Sequence, residues 1–202
     1  MAQTPAVSID HEAKHHLVFS NQWARVYDVI VPAGDSTLYH VHPIDYTYVT
    51  LGDVSLKAQA QGADQTDLVL RDGEVRMTAA PITHRVLNRS AAPFHNLTIE
   101  LMKPSGTALA PAGAGTVVLD NARVRVERIV LEPGQSTPQH EHRGPGLDVA
   151  VSGGTVHVSN AGGGQDHLTF VPGSYRWNDS ARTHTLTNLG TTRMELVEIE
   201  WK

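Results

Sequence analysis

The chain has 202 residues, 18% of them charged, a formal net charge of −5 and no cysteine. Disulfides, thiolate ligands and a cysteine nucleophile are therefore excluded. No lysine and arginine cluster is present to neutralise phosphates, so a nucleic-acid partner is not expected. No run of eighteen apolar residues occurs either, so no membrane partner is expected.

Hydrophobic residues reach 40%, enough for a packed core, and 17 glycines with 11 prolines fit many short strands joined by turns. No signal peptide is visible, although Met1, Ala2, Gln3, Thr4 and Pro5 read like a mature exported N-terminus behind an added start methionine. The expected location is cytoplasmic, or periplasmic or secreted if a leader has been trimmed.

Residues 1–20 are polar and irregular, with His11, His15 and His16 among charged neighbours. His11 and His15 have helical i, i+4 spacing, but no third ligand is nearby in the sequence. The segment reads as an N-terminal extension, a tether or an edge strand packing across the other half. From Asn21 onward the chain repeats itself. Residues 21–102 align on 121–202 without a gap, and 19 of the 82 positions are identical. Self-similarity over such a period marks two copies of one structural domain. The domains are expected at 21–102 and 117–202, joined by a Pro- and Gly-rich linker over 103–116.

Each copy shows the same order of short strand signals. Arg25–Val31 and Val124–Val130 are β-branched and partly alternating, and turns follow at Gly34 and Gly134. Segments 47–51 and 147–151, 68–70 and 168–171, then 96–102 and 196–201, supply further strands. About eight strands per copy read as a small barrel or jelly roll.

Within this frame three histidines recur at a constant offset of 100: His40, His42 and His84, then His140, His142 and His184. In a strand, residues i and i+2 share a face, so each His-x-His pair can direct both imidazoles to one point. A third histidine from another strand completes a set that holds a metal and leaves positions open for water, oxygen or substrate. Asn88 and Asn188 follow four residues after the third histidine.

The spacings Gly34-x5-His40-x-His42 and Gly73-x10-His84-x3-Asn88, repeated from Gly134 to Asn188, resemble the two motifs of the cupin superfamily. The resemblance covers both halves. It implies an all-β chain of two tandem cupin barrels (double-stranded β-helices, or jelly rolls), each with a divalent metal inside.

Two departures qualify it. The glutamate that cupins usually place four or five residues after the second histidine is replaced by Tyr46 or Thr47 in one copy and by Gly146 or Leu147 in the other. The Pro-x-Gly before the last histidine is also missing. Both sites are thus expected to be three-histidine variants.

Tyr46 and Asp148 are the candidate catalytic residues, the first by taking the glutamate's place, the second by strand parity with position 146. Asp45 has the wrong parity and reads as a turn carboxylate. Arg76, Arg176 and Arg182 are weaker candidates for pairing with a carboxylate substrate. Trp177 and Tyr175 would give the second copy an aromatic side. His95, His157 and His167 have no counterparts and read as surface residues.

The expected function is a mononuclear metal enzyme acting on a small organic molecule. Iron(II) and dioxygenase-like chemistry are favoured; zinc, manganese and nickel are alternatives. Similar three-histidine cupins include dioxygenases acting on diketones or thiols, and lyases and isomerases. A metal-dependent binding or sensing protein without turnover is the competing class. A homo-oligomer is compatible with a fused pair of barrels.

Overall fold

The computed structural model describes residues 5–202 as two compact units, up to Lys103 and from Pro104. Met1–Thr4, on which the exported reading rests, lie outside the described residues. Among the described residues no helix is long and apolar enough to cross a membrane.

The first unit contains β1 (Val7–Ser8), β2 (His15–Ser20), β3 (Ala24–Val31), β4 (His40–His42) and β5 (Tyr46–Leu51). It continues with β6 (Val54–Ala60), β7 (Thr66–Leu70), β8 (Val75–Thr78), β9 (Ile82–Asn88) and β10 (Phe94–Leu101). The strands form two sheets, ordered β1-β4-β9-β6-β7 and β2-β3-β10-β5-β8. The second unit repeats this with β11 (Thr116–Asp120), β12 (Val124–Leu131), β13 (His140–His142), β14 (Gly146–Ala150) and β15 (Gly154–Asn160). β16 (Gln165–Phe170), β17 (Tyr175–Asn178), β18 (Arg182–Asn188) and β19 (Met194–Trp201) complete it. Its sheets are ordered β13-β18-β15-β16 and β11-β12-β19-β14-β17.

Each strand alternates between an inner and an outer face, as period-2 geometry requires. In β3 the apolar residues Val29 and Val31 are buried and enter the core with Leu56, Leu70 and Phe94. Ile129, Leu131, Val156, Phe170 and Leu196 occupy the matching place in the second unit. At the turn after β3, and again after β12, the chain reverses through a glycine at φ 75°, Gly34 or Gly134. A side chain is rarely accommodated there.

The repeated asparagines hold these turns. Buried Asn88 donates its side-chain N–H to the carbonyls of Val31 and Ala92 and accepts from the Ser90 backbone N–H. Asn188 makes the same bonds with Leu131, Thr192 and Gly190. An amide offers both donors and acceptors, which is what a buried turn with two unpaired carbonyls needs.

The N-terminal segment pairs with strands of the first unit. β1 pairs parallel with β4, Val7 opposite His40, and β2 pairs antiparallel with β3, His15 opposite Val29. It adds an edge strand to both sheets of its own unit. Segment 104–115 contains no strand or helix and belongs to the second unit. Ser105 bonds the carbonyls of Lys202 and Trp201, and Glu127 receives the N–H groups of Ala114 and Gly115.

Candidate metal centres

In the first unit the register of β4 on β9 sets His40 opposite His84. Strand alternation puts His42 on the same inner face. His40 and His42 bring their Nε2 atoms to 3.1 Å, and the His84 ring lies 4.6 Å from that of His40 and 5.1 Å from that of His42. The Leu38 carbonyl accepts from His40 Nδ1 at 2.9 Å, which leaves Nε2 unprotonated and facing inward.

All three imidazoles are neutral. Burial, helped by the charge of neighbouring imidazoles, lowers His40 to about 4, His42 to about 2 and His84 to about 3. His42 Nδ1 and His84 Nε2 are buried without a hydrogen-bond partner. Unpartnered ring nitrogens in an interior are costly unless something accepts their lone pairs. A divalent ion would do so for His84 Nε2, whereas His42 meets His40 through its other nitrogen, Nε2.

A fourth imidazole joins them that the sequence reading set aside. His15 on β2 lies 4.5 Å from the His40 ring, and the ligand atoms of His15, His40 and His42 all fall within 4.8 Å of one another, a set that does not include His84. The third ligand that His15 lacked in the sequence comes from the barrel it packs on. His11 instead bonds the Ser8 hydroxyl.

Tyr46, the first candidate catalytic residue, is buried and stacks on His42 at 4.0 Å. Burial raises its phenol pKa despite a bond with Thr78, so it stays protonated. Beside these groups opens a cavity of 320 Å³ with walls mostly of apolar side chains, among them Val29, Leu56, Leu68 and Phe94.

The second unit repeats the strand register and brings all three histidines together. His140 faces His184 across β13 and β18 with 2.8 Å between Nε2 atoms, and the Pro138 carbonyl accepts from His140 Nδ1. The carboxylate absent after the second histidine enters from the last strand. Glu198 Oε2 stands 3.5 Å from His142 Nε2 and 3.8 Å from His140 Nε2. The four residues share one set of ligand atoms within 4.8 Å. Neither carboxylate oxygen of Glu198 has a hydrogen-bond partner. The expectation of two three-histidine sites is corrected here: three histidines and one carboxylate converge in the second unit.

The remaining candidates sort by parity and turn geometry. Asp148 lies directly opposite Glu198, but its oxygens accept from Asn178 at 2.8 Å and Arg182 at 3.3 Å. It is held beside the centre rather than within it. The Arg182 guanidinium lies beside Gly146, where a Cβ would stand 3.1 Å from the Ile199 carbonyl oxygen. In the first unit the paired positions carry Tyr46 and Ile82, so one interior is aromatic and apolar where the other is cationic.

Arg182 Nε and Nη1 are buried without partners, and the arginine lines cavities of 390 and 410 Å³. Trp177 and Arg176 line the first of these, while Tyr175 does not. Arg76 bonds Glu74 and lines the first unit's cavity. Asp45 accepts from the Ala80 backbone as a turn carboxylate. His95 bonds Asp28, and His157 packs on His167 across β15 and β16.

Burial and the neighbouring Asp148 push the Glu198 carboxyl up, against the attraction of His142 and Arg182. A carboxyl raised this way destabilises the metal-free fold increasingly as pH rises. Glu198→Gln is therefore expected to stabilise the metal-free protein at neutral pH by about 2 kcal/mol. The same change should weaken metal binding in the second unit about 100-fold. Denaturant unfolding in chelator and a competition titration measure the two effects. A loss of metal-free stability would refute the assignment of Glu198 as an uncompensated buried carboxylate.

No protein-family model and no curated protein matches the sequence. Solved structures do. AerE from Microcystis aeruginosa superposes with a TM-score of 0.63 at 11% identity, over 95% of this chain and 98% of its own. The cupin 2 conserved barrel domain protein from Leptotrichia buccalis gives 0.56 at 9%, over 93% and 88%. Oxalate decarboxylase from Bacillus subtilis, described with Mn(II) centres, gives 0.62 at 10%, over 89% and 69%. The chain thus has the cupin fold in two tandem copies.

Proposed function

We propose that the protein is a mononuclear metal enzyme of the dioxygenase type, acting on a small, largely apolar organic molecule in the first barrel. The observation that carries this reading is the pairing of an all-imidazole donor set with an apolar chamber of 320 Å³. Neutral ligands leave the ion's charge undiminished, and the ion would supply Lewis-acid and redox chemistry at that point.

The residues around it have separate roles. Val29, Leu56, Leu68 and Phe94 exclude water and select for apolar substrate. Asn96 and Thr98, hydrogen-bonded to each other at 2.8 Å, are polar groups on the same wall that orient a carbonyl or enol. Tyr46 keeps its proton at neutral pH and serves as a hydrogen-bond donor. Iron(II) is favoured, with zinc, nickel or manganese as alternatives.

For the second barrel a different reading has its own support. Arg182 offers two unpartnered N–H groups beside a donor set that includes a carboxylate. That favours metal-dependent binding of an anionic molecule there, with Asp148 fixing the arginine.

Elemental analysis of protein purified without a histidine tag, followed by oxygen-uptake assays on diketone, thiol and flavonol panels, tests the proposal. Iron near one per barrel with uptake on one panel is the expected result. Zinc with no turnover on any panel would replace the enzyme with a binding protein.

A further inference from the structure

We propose that His15 is a metal ligand of the first barrel, delivered by the N-terminal strand and aimed by the buried carboxylate of Glu12. This rests on the reading of the first barrel as a metal centre and adds to it a donor from outside the repeated domain.

Three observations converge on it. His15 Nδ1 donates to Glu12 Oε2 at 2.7 Å, and both side chains are almost fully buried, 5% and 1% exposed. With Nδ1 carrying the proton, Nε2 presents its lone pair, the arrangement that carboxylates impose on metal-bound histidines. His15 then shares one cluster of ligand atoms with His40 and His42.

Glu12 is itself fixed: it also accepts the backbone N–H groups of Lys14 at 2.9 Å and Leu38 at 3.2 Å. Leu38 is the residue whose carbonyl orients His40. One short stretch of backbone thus sets the tautomers of two imidazoles. A carboxylate with three donors in an interior, directing a histidine at other histidines, is more than edge-strand packing requires.

Comparison of the two units makes the case independently. The residue that corresponds to His15 is Gly115, where a Cβ would lie 2.2 Å from the Arg128 carbonyl oxygen, so no side chain fits. The residue that corresponds to Glu198 is Thr98. Each unit has one donor beyond the repeated triad, supplied from opposite ends of the copy. The two centres differ in charge accordingly, imidazoles alone in one and imidazoles with a carboxylate in the other. A neutral set suits a softer, later divalent ion than a set that contains a hard carboxylate oxygen.

The test uses the full chain with His142→Gln in the background, so that cobalt(II) reports the first barrel. His15→Gln is expected to weaken cobalt(II) binding about 100-fold, and Glu12→Gln about 10-fold through the lost orientation of the ring. In His15→Ala, added free imidazole is expected to restore the cobalt absorption spectrum, a rescue that a purely structural histidine would not show.

If His15→Gln binds cobalt as tightly as its parent while His42→Gln does not, His15 is a wall residue and the metal centre stands without it. If neither change matters, the first barrel is not a metal centre and both readings fall. Should His15→Gln not fold in chelator, Glu12→Gln decides, since wild-type affinity in that variant would overturn the proposal.

Discussion

His42→Gln is expected to remove one metal ion from the chain and leave the other, and His142→Gln to do the converse. Each histidine belongs to a cluster that lies wholly within one unit. Neither change should propagate to the other unit's donor set. Glutamine keeps the volume and polarity of the side chain but is a poor ligand for a borderline divalent ion.

The cost to the fold should be small for His42 and larger for His142. His42 keeps its stacking place on Tyr46 as glutamine, whereas His142 stands against the buried Glu198 and Glu200 at 3.5 and 3.6 Å, so its replacement costs the metal-free fold more. Metal content by mass spectrometry, read beside unfolding in chelator, checks this. Unchanged metal content in both variants would remove the basis for a metal centre in either barrel. Loss of both ions from one substitution would show that the centres are coupled.

The parts of this fold legible in the sequence are those the two copies share. The strand order from Ala24 to Leu101 is repeated from Val124 to Trp201, and period-2 alternation sets the inner faces. The histidine triads follow from the same comparison, because His40, His42 and His84 recur as His140, His142 and His184.

What the comparison hides is whatever the copies do not share. His15 precedes the repeat and meets His40 only because β2 pairs with β3 over the barrel. Glu198 aligns with a threonine and reaches its histidines from the last strand, 56 residues beyond His142. Both are long-range placements, set by sheet closure and not by spacing. One signal was available: β19 reads Met-Glu-Leu-Val-Glu-Ile-Glu-Trp, three glutamates in a strand buried along its whole length. Carboxylates in such a strand need cations or metal to justify their burial. Arg128 accounts for Glu195, and the centre accounts for Glu198.

The same burial predicts a steep acid sensitivity of the metal-free first unit. His40, His42 and His84 titrate at about 4, about 2 and about 3 in the fold, chiefly through burial, against 6.5 for an exposed imidazole. A depressed folded value means that the unfolded chain binds protons first. The stability these groups contribute is fully present above pH 6.5 and is lost as pH falls toward the folded values. At pH 5 each unfolded imidazole gains about 2 kcal/mol from protonation that the folded one does not. Three of them together approach the whole stability of a typical domain, roughly 5–15 kcal/mol.

The Glu12–His15 pair falls in a different window. Glu12 is held near 2 by His15 and two backbone N–H groups, which outweigh the opposing effect of burial. Its contribution is therefore lost only below its ordinary value of 4.5. Between pH 7 and 5 the slope belongs to the imidazoles. Metal-free protein is expected to lose most of its first-unit unfolding free energy across that interval, and replacing His40, His42 and His84 together by glutamine should flatten the curve. Metal should also flatten it, because an ion on the ring nitrogens stabilises the fold against protonation. An equally steep slope in the triple variant would show that the acid sensitivity originates elsewhere and that these imidazoles are not the buried neutral set described here.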